Sequence, residues 1–389
     1  MEPNTAVAAR SLDPGVTEEP SRRVTFVTDI VTPYMVTQFE ALARLTKLHV
    51  VFCSESGSRA MPWQLGARLS FSHEVVGGLS LPGLHSGADL HLSPRILGAI
   101  ARSRPDVVVA SGYSMPTAYT GLWCAASRRP LVIYSAGTSR SERSLGRVQA
   151  LARRILLART SSCAAASFPA AERFRELGVP AERIFMTSHT SDLAPLWPVG
   201  RDRTYAATDT LRIVSVGRLI VLKGNDRLIR AAATAIEAGV PVEVRFVGSG
   251  PEEERLRRLA SELGISHAVR FDGFLDHADL PAVYAEADVF AFPTLRDVFG
   301  HVLVEAAATG LPPIASTQAG ATHDMIEHER NGLVVDPDDL AGMTDAILRL
   351  ARDPALRERL GRAAHQSTLQ RTPDRSAQGF VEAVEAALA

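Results

Sequence analysis

Three cysteines in 389 residues, Cys53, Cys124 and Cys163, are odd in number and lie far apart. They give neither a disulfide framework nor a thiolate metal site, and read as reduced thiols of a cytoplasmic protein. No apolar run approaches the roughly 20 residues that cross a bilayer. The opening stretch, MEPNTAVAARSLDPGVTEEPS, has no charged segment followed by an apolar one. It reads as a disordered tail over residues 1–22, not as a signal peptide. Neither sign of charge dominates, with 42 Lys and Arg against 43 Asp and Glu. A nucleic-acid partner, which calls for a strongly basic domain, is therefore not expected. A nicotinamide-type G-x-G-x-x-G is missing too: VGSGPEEE offers Gly248 and Gly250 but places Glu253 where the third glycine belongs. No Gly-Lys-Ser/Thr forms a Walker motif, and no cluster of residues has metal-ligand spacing.

What is present is ordinary globular composition, 46% apolar and 22% charged, in a chain long enough for two domains. Short β-branched runs alternate with helical periods. RRVTFVTDI, TQFEALARLT and LHVVFCS give strand, helix, strand, and the alternation continues through PAAERFRELGVPAERIFMTS. Such alternation is the signature of a parallel sheet covered on both faces. DLAPLWPVGRDRTYAATDT, rich in Pro, Gly, Asp and Thr, interrupts the pattern, which restarts at LRIVSVGRL. The expected class is α/β. Two doubly wound, Rossmann-like domains, 23–195 and 211–370, are joined by a linker at 196–210 and followed by a helix at 371–389. Ligands of such sheets bind at the carboxyl ends of the strands, here in the cleft between the halves.

Two spacings stand out. In SVGRLIVLKGNDRLI, Arg218 follows a strand end and Lys223 lies five residues on, before a helix. Two cations beside a helix N-terminus suit an anion, which Arg grips bidentately and Lys meets as a point charge. Two solvated surface cations would look the same. In PTLRDVFGHVLVEA, Asp297 and Glu305 flank a strand-to-helix turn containing Phe299 and Gly300. Gly300 permits close backbone approach, and each carboxylate is suited to a pair of vicinal hydroxyls. A helix cap at Asp297 and a surface Glu305 would fit equally well.

Taken in order, GRL...KG, FVGSGPE, VRFDGFL, ADVFAFPT, DVFGHVLVEA and GLPPIAS resemble the retaining GT-B-fold glycosyltransferases of family 4 (glycosyl transferases group 1). The likeness is specific over roughly 120 residues of the C-terminal half, and the N-terminal half shares only its strand-helix order and GVPAERIFMTS. The resemblance implies a nucleotide-diphosphate sugar as co-substrate and no metal. Arg218 and Lys223 would hold its pyrophosphate, helped by the amides of Phe299, Gly300, His301 and Val302. Glu305 would bind the ribose diol and Asp297 the donated sugar. Gly273, Phe274 and Leu275 would meet the base, with Gly248 lining the same pocket. Fixed cations and a helix dipole can stabilise a departing diphosphate. The acceptor would sit on the N-terminal half, and the last helix would cross back to that half.

Departures from the family pattern concern the sugar and the acceptor. The first acid is Asp297 where Glu is usual. DIVTPYMVTQ stands where many relatives have a glycine pair. IYSAGTSRSERS lacks a His that many relatives carry there, leaving Gly137, Thr138 and Ser139 as acceptor-side candidates. HTSD replaces NGVD, and its His189 either faces the cleft or serves as a structural hinge, the latter favoured. SRSERSLGRVQALARRILLART combines helical apolar spacing with Arg140, Arg143, Arg147, Arg153, Arg154 and Arg159. That pattern fits a helix covering a sheet, and less well one docking on anionic membrane. The expected activity is transfer of a sugar from a UDP- or GDP-linked donor to a small soluble acceptor. Ala- and Arg-rich usage points to a bacterial genome of high GC content. The alternatives are a nucleotide-sugar epimerase or sugar-phosphate synthase on the same fold, and a catalytically silent sugar-nucleotide binder. The sequence does not give the oligomeric state.

Overall fold

The computed structural model describes residues 21–54, 69–81, 90–142 and 146–389. The expected tail at 1–22 lies almost wholly outside them. The first half contains β1 (Arg23–Ile30), α1 (Pro33–Leu45), β2 (Lys47–Ser54), β3 (Ser72–Val75), β4 (Leu79–Leu81), β5 (Leu90–Leu92), α2 (Ile96–Ser103), β6 (Val107–Ser111) and α3 (Met115–Ser127). It continues with β7 (Leu131–Ser135), α4 (Arg147–Ala158), β8 (Ser162–Ala165), α5 (Phe168–Glu176), β9 (Ile184–Met186) and α6 (Trp197–Arg201). The second half runs through β10 (Leu211–Val216), α7 (Asn225–Glu237), β11 (Val242–Val247), α8 (Glu253–Glu262), β12 (Val269–Phe271), α9 (Leu280–Glu286), β13 (Val289–Phe292) and α10 (His301–Ala308). It ends with β14 (Pro313–Ser316), α11 (Gly320–Met325), β15 (Leu333–Val335), α12 (Leu340–Arg352), α13 (Pro354–Thr368) and α14 (Pro373–Leu388).

Among the described residues, β4 and β5 pair antiparallel as a small ribbon, and of the two large sheets one has the order β3-β2-β1-β6-β7-β8-β9 and the other β12-β11-β10-β13-β14-β15. Every pairing in both is parallel. The central strands are buried on both faces, which is why VTFV, VVVA and VFAF read as unbroken apolar runs. In each sheet the order reverses beside the first strand, β1 or β10. The loops at the carboxyl ends of β1, β7, β10 and β13 meet between the halves.

The chain does not leave the first half for good at α6. Residues 196–210, expected as an irregular linker, carry α6 and are pinned to the second half. Arg203 donates to the carbonyls of Thr309, Ala287 and Tyr284, and the Tyr205 hydroxyl donates to that of Gly310. α14 then packs on α1, β8 and β9 of the first half. Phe380 sits against Phe26 and Tyr134 at centroid distances of 5.5 and 5.1 Å. The Ser376 hydroxyl donates to Gln38, and Gln38 in turn donates to the Thr190 carbonyl.

The basic helix is shorter than its sequence pattern. α4 begins only at Arg147, so Arg140 precedes it. Arg140 reaches the other half, donating to the Thr317 carbonyl and to His323 Nε2. Arg153 turns inward to Glu142 and lies over the Tyr113 ring. These two arginines answer partners within the protein. Leu151 and Ile155 are 60% and 54% exposed, while Arg143 lies outside the described residues. Among the described residues no helix is long and apolar enough to cross a membrane. All three cysteines are free and buried, and burial pushes Cys124 and Cys163 up to about 12.

Candidate active site

Beyond its first residue, His301, α10 is apolar, and from Leu303 onward it is buried, as expected of a helix enclosed by the fold. Its exception is Glu305, only 5% exposed. A carboxylate in such surroundings requires partners. Those present are distant: the Tyr284 hydroxyl at 3.4 Å, His277 Nε2 at 3.4 Å and the Ser191 hydroxyl at 3.5 Å. Its lone pairs are thus largely uncommitted. Glu305 raises the pKa of His277, chiefly by accepting its hydrogen bond. Burial, with Glu305 beside it, drives Tyr284 well above the usual phenol range.

The turn that leads into α10 depends on Gly300. Its φ is 102°, and an added Cβ would strike the Phe292 ring. Asp297 begins this turn, with Oδ1 accepting from the Phe299 amide at 3.2 Å. It is not the helix cap, because Gly300 occupies that position and no side chain caps it. The other oxygen of Asp297 meets Lys223 Nζ at 2.6 Å. Lys223 also lies over the Phe292 ring at 5.1 Å. The strand-to-helix loops after β10 and β13 therefore converge. Thr294 Oγ1 and the Leu295 amide both donate to the Leu222 carbonyl. Arg218 is exposed beside them. A tight recess at the carboxyl end of β10, too narrow for a water, is lined by Ser215, Gly217, Arg218, Lys223, Asn225 and Phe292.

Gly248 adjoins this corner. Its φ is 132°, and a Cβ there would fall on the Gly217 carbonyl oxygen. Its amide donates to the Gly273 carbonyl at 2.7 Å. Phe274 is exposed and Leu275 half-buried on the following loop.

The first half supplies the opposite wall. His189 is buried, and its Nδ1 lies 2.6 Å from the Tyr134 hydroxyl. Burial and neighbouring His301 hold its pKa well below the usual imidazole range. His189 faces Phe299 and His301 at 5.0 and 4.4 Å, so it lies at the junction of the halves. Thr138 and Ser139 are differently placed. Thr138 is buried and exchanges bonds with Ser141, its hydroxyl accepting from the Ser141 amide. Ser139 donates to Glu176 at 2.5 Å. Both hydroxyls are engaged within the first half. Residues that sequence reasoning did not name are Ser191, His277, Tyr284 and Tyr34. Of these only Tyr34 had a signal, as the bulky ring in a segment where relatives carry glycines.

A larger cavity of about 360 Å³ lies at the amino ends of β10, β11 and β12. Its arginines are paired internally, Arg212 with Asp288, and Arg245 with Asp272 and Glu286. It lies at the ends of the strands away from the converging loops.

Two facing parallel sheets with an acid-bearing loop and helix at their meeting edge define the GT-B class of fold. A solved structure of Anabaena Alr3699/HepE in complex with UDP and glucose overlays at a TM-score of 0.73 and 20% identity, covering 94% of this chain and all of that one. The families described as "Glycosyl transferases group 1" and "Glycosyl transferase 4-like domain" match residues 201–367 and 31–188. The chain belongs to the group 1, family 4 glycosyltransferases. It is 33% identical over 206 residues to the lipopolysaccharide core biosynthesis glycosyltransferase LpsD of Rhizobium meliloti, covering 53% of this chain and 58% of that protein. It is 37% identical over 174 residues to a D-inositol 3-phosphate glycosyltransferase of Corynebacterium urealyticum, covering 43% and 41%. The chain spans about half the length of these curated relatives.

Proposed function

We propose that this protein transfers a sugar from a UDP- or GDP-linked donor to the hydroxyl of a small soluble acceptor, with retention of anomeric configuration. The observation that carries the reading is the convergence of Lys223, Asp297 and Glu305 around the start of α10. One cation, a helix N-terminus and two acids at that spacing match the parts of a sugar nucleotide: diphosphate, sugar hydroxyls and ribose diol. Arg218 joins Lys223 at the diphosphate. Gly248 and the 273–275 loop, with Gly273, Phe274 and Leu275, border the base.

In the transfer, the bond from the anomeric carbon to the phosphate oxygen breaks and a bond to the acceptor oxygen forms. The acceptor proton passes to the departing diphosphate. Negative charge grows on that diphosphate, which in this reading Lys223, Arg218 and the amides at the start of α10 receive; Lys223 and the Phe299 amide leave Asp297 to do so. Retention rests on family membership. The acceptor side rests on His189 and on the wall that the first half presents, while Thr138 and Ser139 contribute through the turn they build.

The test begins with thermal shift against UDP, GDP, ADP and dTDP. A nucleotide at about 100 times its dissociation constant adds about 2.7 kcal/mol. Product analysis with UDP-glucose and GDP-mannose over an acceptor panel follows. Transfer by the wild type that disappears in Glu305→Ala and Lys223→Ala supports the assignment. Wild-type turnover in either variant sinks it, and sugar that changes but stays on its nucleotide indicates an epimerase.

A further inference from the structure

His301 is the first residue of α10, and both of its ring nitrogens are sealed from solvent with no hydrogen-bond partner among the described residues. Such atoms are rare in native proteins and point to a partner supplied from outside the chain. The surroundings explain why none is available. Tyr34 of the first half stacks on the ring at 4.2 Å, with 26° between planes. Phe299 presents an edge at 5.1 Å. His189, at 4.4 Å, is already engaged with Tyr134. Burial pushes the His301 pKa down to about 3, so the ring is neutral. A neutral imidazole has one donor and one acceptor nitrogen. That is the complement of a hydroxyl and a poor partner for a diphosphate.

The ring's place narrows the ligand. It directly follows the Asp297–Gly300 turn, where the sugar of the donor is assigned, and it faces Tyr34 and His189 of the first half. We propose that His301 is a positioning residue that hydrogen-bonds a hydroxyl of the transferred sugar. The inference rests on the donor-site reading above. Tyr34 covers the ring and parts from it for that bond to form.

Titration calorimetry of UDP, UDP-glucose, GDP and GDP-mannose separates the possibilities. His301→Phe keeps a ring for Tyr34 to stack on and removes both nitrogens. His301→Asn keeps one donor and one acceptor. The expected result is a His301→Phe protein that binds the preferred sugar nucleotide about tenfold more weakly, one hydrogen bond's worth. Its affinity for the matching nucleoside diphosphate stays within about twofold, and His301→Asn recovers part of the loss. Equal weakening of nucleotide and sugar nucleotide in His301→Phe overturns the inference by showing a structural role. Undiminished sugar-nucleotide binding in His301→Phe overturns it as well. If the wild type binds no nucleotide at all, the donor-site reading falls and takes this inference with it.

Discussion

Lys223 and Asp297 hold each other at 2.6 Å across two loops of the second sheet. The group assigned to phosphate and the group assigned to sugar therefore neutralise one another, and each tunes the other's availability. Asp297→Ala frees the lysine, so UDP or GDP affinity is expected to hold or improve while transfer falls by more than about 100-fold, a loss of roughly 2.7 kcal/mol in the transition state. Lys223→Ala is expected to weaken nucleotide binding about 10- to 100-fold, the range for a hydrogen bond to a charged group. Calorimetry beside a nucleotide-release assay checks both. Equal affinity losses in the two variants would contradict the division of roles.

Glu305 offers a cleaner test because, among the described residues, its buried carboxylate has only long contacts. Glu305→Gln is expected to fold normally and to bind UDP or GDP about tenfold more weakly. The same nucleotide lacking its ribose 3′-hydroxyl should bind the wild type more weakly and Glu305→Gln no worse than the parent nucleotide does. If the two losses simply add, Glu305 does not touch the ribose.

The pH dependence has two opposed parts. His189 and His301 are bases with folded pKa values below the unfolded value. The unfolded chain therefore binds more protons, and stability is full above about pH 6.5 and falls as the pH drops, by about 1.4 kcal/mol per pH unit for each ring. His277 is raised by its bond to Glu305. Its contribution is whole below about pH 6.5 and is lost as pH rises through the raised value. Urea midpoints from pH 5 to 8 should show a shallower acid-side slope in His301→Phe, and in His277→Ala a deficit that is full below about pH 6.5 and closes as the pH rises. An unchanged acid slope in His301→Phe would mean that its ring is not held neutral.

Gly248 and Gly239 make a matched pair. Both have positive φ, 132° and 80°, but a Cβ at Gly239 meets nothing within 4 Å, whereas one at Gly248 strikes Gly217. Gly239→Ala should pay only backbone strain, about 1 kcal/mol. Gly248→Ala should lose more, and lose nucleotide affinity with it. Thermal melts with and without nucleotide decide this, and equal losses would show that the approach of Gly248 to Gly217 is unimportant.

Much of the candidate site was legible as sequence neighbours because each strand-to-helix segment carries its residues close together. Arg218 with Lys223, and Asp297 with Glu305, are such pairs, and the alternating apolar runs gave the two sheets. Other contacts depend on which loops meet. Tyr34 reaches His301 from the opposite sheet, and Tyr284 and Ser191 reach Glu305 from separate elements, a juxtaposition that no local period encodes. The inward turn of Arg153 was equally hidden, because an arginine that pairs within the protein looks the same in sequence as one left to solvent. The Ser139 hydroxyl likewise has its partner, Glu176, on a different element.

The α14 contacts have a consequence for how the chain is made. Ala377, Phe380, Ala383 and Val384 complete the core on one face of the first sheet, and removing a buried Phe such as Phe380 costs about 3–5 kcal/mol. On the ribosome, the second sheet and its helices have all emerged before residues 373–388 appear. The half that is translated first is then the half that is finished last, waiting with an open apolar face until its closing helix arrives.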